Sequence, residues 1–157
     1  MLLRSSPKPQ IISKYLFIYF LTYFHIIFND TDYIMIREML IAGAGGFVGT
    51  CGRYLVVKWA GGVWHGNFPM GTFLVNVIGC FIIGLIFGVL EKLPVMTPGE
   101  RALLITGLCG GFTTFSSFAN EMWTLGDKGD WSTFALYLAL SVIIGIACVW
   151  AGRAVIR

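Results

Sequence analysis

Gly110-Gly111-Phe112-Thr113-Thr114-Phe115-Ser116-Ser117-Phe118 interrupts a segment that is otherwise apolar from Ala102 to Leu125. In lipid every backbone N–H and C=O needs a partner, so a glycine pair followed by four hydroxyl side chains makes a poor inert span. Such a break persists where the freed carbonyls face protein, water or a bound ion. The phenylalanines in the same stretch mean that whatever passes here meets aromatic ring edges. The segment reads as the centre of an ion pathway.

Composition places that pathway in a bilayer. Of 157 residues, 57% are hydrophobic and 12% charged, with a mean hydropathy of +0.79. Soluble domains carry about 25% charged residues. A span needs about 20 apolar residues, and four candidates follow Met35: Met39–Trp59, Pro69–Leu90, Ala102–Leu125 and Trp131–Ala151. Their connections are short and leave nothing for a soluble domain. The expected fold is an all-α membrane protein, a four-helix bundle with its third helix broken mid-membrane.

The net charge of +3 does not point to nucleic acid. Arg37, Lys58, Lys92, Arg101, Lys128, Arg153 and Arg157 sit singly at helix ends, as interfacial anchors do. The bias between the two membrane faces is about three charges, a weak orientation signal.

Residues 1–34 differ from the rest. Tyr15–Phe28 is an aromatic-rich apolar run of 14 residues, short for a span, and no small-residue cleavage site follows it. An interfacial helix, a fifth short span and untranslated upstream sequence compete as readings. Met35-Ile36-Arg37-Glu38 has the form of a natural start, which favours the last. The division expected is an N-terminal extension over 1–34 and a functional domain over 35–157.

Cys51, Cys80, Cys109 and Cys148 fall one per span, far from His25 and His65. They read as small packing residues rather than as a zinc site or disulfides. No Ser/His/Asp set or deep carboxylate pair supports an enzyme.

Each span carries a row of small or polar residues. Gly45, Gly49 and Arg53 share a face of the first. The glycines permit close helix contact, while Arg53 either snorkels to the interface or places positive charge in a vestibule. Thr72, Asn76, Cys80, Gly84 and Gly88 form a row on the second. Asn76 there is either interhelical glue or a donor to a desolvated anion. On the third, Phe115 and Phe118 share a face, and ring edges carry partial positive charge suited to an anion. Ser117 and Glu121 share a neighbouring face, and Glu121 lies near the span's end, where an interfacial role is the simple one. Tyr137, Ser141 and Gly145 on the fourth make either a polar track or a helix seam.

Gly46-x-x-Gly49-x-x-x-Arg53, Gly71-Thr72-x-x-x-Asn76-x-x-Gly79 and Gly110–Phe118, in this order and register, closely resemble the Fluc (CrcB-type) fluoride channels. The resemblance covers Met35 to Arg157. It implies an antiparallel, dual-topology homodimer in the bacterial inner (plasma) membrane, passively exporting cytoplasmic fluoride through two pores. It further implies a structural Na+ at the dimer centre, held by the backbone carbonyls of Gly110 and Thr113. Asn76, Phe115, Phe118, Tyr137 and Ser141 would line the anion path, with Thr114, Ser116 and Ser117 as nearby hydroxyls and Arg53 at the vestibule. Gly145 departs from the serine some relatives carry, and the resemblance assigns no clear role to Glu121. The partners implied are fluoride, a second copy and the lipid bilayer.

Two rival readings stand beside this one. A small multidrug exporter needs a buried carboxylate in its first span, where this chain has only Glu38 at the mouth. A purely structural membrane subunit leaves the Gly110–Phe118 break unexplained.

Overall fold

The computed structural model describes residues 18–20, 22, 30–92 and 96–156. The expectations for the 1–34 extension, including the Tyr15–Phe28 run, fall largely outside these residues. Two compact units are formed, Met1–Arg37 and Glu38–Arg157, and the site lies in the second. Every described element is helical. They are α1 (Asp30–Val63), α2 (Met70–Lys92), α3 (Pro98–Arg101), a π-helix (Ala102–Cys109), α4 (Gly110–Phe112), α5 (Phe115–Asp127) and α6 (Trp131–Ile156). Among the described residues four stretches are long and apolar enough to cross a membrane, the third running from Pro98 to Asp127. The protein is a multi-pass membrane protein. Each span extends beyond its apolar core, because polar end residues still gain backbone hydrogen bonds from continuing the helix.

Local sequence explains where the third span begins and ends. Thr97 and Glu100 form a capping box: Glu100 N–H donates to Thr97 Oγ1 at 3.3 Å, and Thr97 N–H donates to Glu100 Oε2 at 2.7 Å. Pro98 occupies the first turn, where its missing N–H is not needed. At the far end Gly129 takes a φ of 72°, and the N–H groups of Lys128, Gly129 and Asp130 turn back onto α5 carbonyls. That left-handed position suits glycine. Asp130 then caps α6, accepting from Thr133 N–H at 3.2 Å and Ser132 Oγ at 3.0 Å.

Glycine seams join the spans backbone to backbone. Between α1 and the third span, a Cβ on Gly45 would strike the Leu103 carbonyl, and one on Gly107 would sit 2.5 Å from the Ala42 carbonyl. Gly49 and Gly111 continue this seam. Between α2 and α6, Gly84 abuts the Val149 carbonyl, Gly88 lies against Arg153, and Gly152 reaches the Phe81 carbonyl. Such close approach is what small residues permit where lipid offers no hydrophobic drive between helices. Gly145 faces Cys80 Sγ. That end of the fourth-span row is therefore a seam, a choice that spacing left open.

Candidate permeation site

The third span is broken at Thr113 and Thr114, both extended, with ψ of 161° at Thr113 and φ of −150° at Thr114. The break removes ladder partners on both sides, and side chains from other spans replace them. Asn76 of α2 accepts from Thr114 N–H at its Oδ1, 2.8 Å, and donates from Nδ2 to the Thr114 carbonyl, 3.2 Å. Arg53 Nη1 of α1 donates to the Thr113 carbonyl at 3.2 Å, and Thr50 Oγ1 to the Gly111 carbonyl at 3.4 Å. Within the span, Thr113 Oγ1 donates to the Cys109 carbonyl at 3.0 Å. Thr114 Oγ1 accepts from Ser117 N–H at 3.2 Å, capping α5, and donates to Ser117 Oγ at 3.0 Å. The glycine pair followed by hydroxyls is thus a helix end and a helix start placed head to tail.

Around the break lies a cleft of about 440 Å³ whose lining includes Asn76, Gly110, Thr113, Phe115, Phe118 and Ser141. Residues that the sequence singles out on the second, third and fourth spans therefore converge on one surface. The Ser141 Oγ is buried without a hydrogen-bond partner among the described residues. Phe115 is 81% exposed, a large ring on the outside of this chain in the middle of its third span. Cys80 and Cys109 also line the cleft, beyond the packing role expected of them; the one sequence signal is the place of Cys80 in the Asn76 row.

Other predicted residues stand behind the cleft. Tyr137 is fully buried, and its ring centroid lies 5.0 Å from that of Phe118. Its hydroxyl donates to Glu121 Oε2 at 2.8 Å, while Thr72 Oγ1 donates to Glu121 Oε1 at 2.6 Å. Glu121 is therefore not a simple interfacial carboxylate: two hydroxyls from α2 and α6 hold both its oxygens. It also borders a second cavity of about 210 Å³, together with Phe68, Gly71 and Thr72. Phe118, Tyr137 and Glu121 thus connect the two cavities side chain to side chain. Thr114 is buried and used in capping, and Ser116 and Ser117 are exposed.

For a monovalent cation, the relevant oxygens are neutral carbonyls. Gly110 is exposed, and a Cβ on it would meet nothing closer than the Ile105 carbonyl at 3.8 Å. Its carbonyl and those of Gly111 and Phe112 belong to the last turn before the break, where the helical ladder stops. Such uncharged oxygen donors suit a hard cation. Among the described residues no group of three or more His, Cys, Asp or Glu gathers to hold a metal.

A four-span bundle with a broken third helix, its break sutured by an asparagine and flanked by a phenylalanine-lined cleft, defines a small membrane protein built around interrupted backbone. The family model described as "CrcB-like protein, Camphor Resistance (CrcB)" matches residues 40–153, and the chain belongs to that family. A relative from Rhizobium etli is 41% identical over 123 residues, covering 78% of this chain and 98% of its own length. One from Chlorobium luteolum is 43% identical over 115 residues, covering 73% and 88%. A third, from Nitratidesulfovibrio vulgaris, is 38% identical over 116 residues, covering 74% and 94%. All three are named "Fluoride-specific ion channel FluC".

Proposed function

We propose that this chain is a passive, fluoride-selective channel that lets cytoplasmic fluoride leave a bacterial cell. The observation that carries the reading is the sutured break: Asn76 holds both backbone groups of Thr114 and still lines the cleft. Its Nδ2 has two hydrogens, one used on the Thr114 carbonyl and the other available to an anion. The unpartnered Ser141 hydroxyl is a second donor, and the Phe115 and Phe118 ring edges add weak positive contacts. Fluoride is small and strongly hydrated, so several modest sites that replace its water, none of them sticky, suit conduction.

The working form in this reading is an antiparallel homodimer with two pores. Exposed Phe115 in mid-span favours a second copy against this face. The carbonyls of Gly110 and Thr113 from both copies would hold one Na+ at the centre, since two oxygens from a single chain are too few to replace the hydration of a hard cation. When bound, that ion would supply a fixed positive charge that lowers the energy of an anion nearby. The chain's own residues bind and orient the anion, and the phenylalanines and glycine seams exclude water.

Growth tests this reading. A strain lacking its own fluoride export, grown in acidic medium with fluoride, should be rescued by the full chain. Rescue should be lost with Asn76→Ala or Phe118→Ala at equal membrane levels. Fully inserted wild-type protein that gives no rescue would contradict the assignment.

A further inference from the structure

Arg53 does not stand free beside the break. Its Nη1 donates to the Thr113 carbonyl at 3.2 Å, and Thr50, one turn earlier on α1, donates to the Gly111 carbonyl at 3.4 Å. The backbone beneath these side chains cannot slide easily. A Cβ on Gly49 would collide with the Leu108 carbonyl and come within 2.8 Å of the Phe112 nitrogen. Gly52 packs beside the Phe112 ring, which a Cβ would approach to 3.4 Å. A guanidinium is thus fixed on one of the two oxygens assigned above to the central cation.

We propose that Arg53 is a positioning residue for that cation site, acting through the Thr113 carbonyl, and that its charge opposes the cation and holds its affinity down. The inference rests on the sodium reading given above. A carbonyl oxygen has two lone pairs: the guanidinium takes one, and the other is left for the ion. A cation held there would share this oxygen with the guanidinium, which would keep the two positive charges well inside a Debye length. Repulsion at that range, in a medium of intermediate dielectric, outweighs the net gain from one hydrogen bond that steadies the carbonyl. Removing the charge therefore tightens cation binding. A residue that only propped up the break would do the reverse, because its loss would loosen the carbonyl. Arginine suits the task, since its planar fork is pre-organised for the hydrogen bond that holds the carbonyl. The charge also stays beside the break whether or not the cation is bound, so the anion path never loses its positive surroundings entirely.

The test uses the purified full chain in detergent, with Na+ exchanged for N-methylglucamine at constant ionic strength and thermal unfolding followed at each step. Wild type, Arg53→Gln and Arg53→Lys are compared by the Na+ concentration that gives half of the stabilisation. For Arg53→Gln that midpoint should fall about tenfold, while Arg53→Lys, which keeps the charge, should stay within about threefold of wild type. A midpoint for Arg53→Gln equal to or above wild type overturns the inference and leaves the sodium reading intact. Wild-type unfolding that ignores Na+ altogether overturns both. Arg53→Met, neutral and of similar length, reads the same sign if the glutamine variant does not fold.

Discussion

Asn76 and Thr114 make a two-point bridge across the break in the third span, with Oδ1 on the Thr114 N–H at 2.8 Å and Nδ2 on its carbonyl at 3.2 Å. One side chain thereby replaces the ladder partners that extended backbone cannot find inside a membrane. Without it, two backbone groups are left unpaired. Each unsatisfied group costs about 1–3 kcal/mol, so Asn76→Ala should lower stability by about 2–4 kcal/mol and abolish fluoride flux. Denaturation in detergent measures the first effect and efflux the second. A variant of unchanged stability would show that the bridge is dispensable.

The glycine seams predict a sharp contrast among Gly→Ala variants. Gly49→Ala and Gly84→Ala place a methyl on a neighbouring carbonyl, backbone against backbone, where nothing flexible can yield. Both should reduce folded yield severely. Gly43→Ala and Gly62→Ala meet nothing within 4 Å, and should be neutral or gain up to about 1 kcal/mol from the better helix former. Melting temperatures of the four variants, side by side, decide the matter.

Thr72 and Tyr137 are coupled through Glu121, whose two oxygens they hold separately. Thr72→Val or Tyr137→Phe alone leaves one carboxylate oxygen without its donor. The double variant should fall short of the summed losses by at least about 0.5 kcal/mol, as partners in one network do. A double-mutant cycle with strictly additive losses would mean that the carboxylate re-partners freely.

Phe115 and Phe118 should separate stability from transport. Phe115 is 81% exposed in this chain, whereas Phe118 packs against both Tyr137 and Phe115. Phe118→Ala should cost about 2–4 kcal/mol as well as flux. Phe115→Ala should cut fluoride flux with a smaller stability loss. Flux that survives both changes would remove the rings from the path.

Asp130 sits outside the spans, and its carboxyl titrates below its ordinary value because Thr133 donates to it from side chain and backbone, with Ser132 and Asn67 adding further bonds. A depressed folded pKa means that its stabilising contribution is present above the ordinary Asp value of 3.8 and disappears as pH falls through the lower folded value. Asp130→Ala should therefore melt below wild type at neutral pH, and the gap should close in acid. A gap independent of pH would assign the cap to neutral hydrogen bonding.

How much of this was legible in the sequence depends on the range of the interaction. The four spans follow from apolar length, and the break from Gly110-Gly111 running into hydroxyls, because lipid punishes such residues locally. Apolar length alone put the start of the third span at Ala102, whereas the Thr97/Glu100 capping box starts its helix at Pro98. What remained closed was pairing at a distance. Nothing local says that Asn76 reaches a backbone 38 residues away, that Arg53 turns to Thr113, or that Glu121 collects two hydroxyls instead of facing the interface. The π-winding of Ala102–Cys109 has no sequence signal either. It accompanies the tight seam in which Gly107 meets Ala42 and Gly46, a property of two helices rather than one.

The central claim is most directly tested by loading liposomes that contain the purified full-length protein with potassium fluoride, and reading efflux with a fluoride electrode against a chloride-loaded control. Rapid fluoride loss with negligible chloride loss is the predicted result. A folded, reconstituted protein that releases no fluoride, or releases chloride as readily, would contradict it.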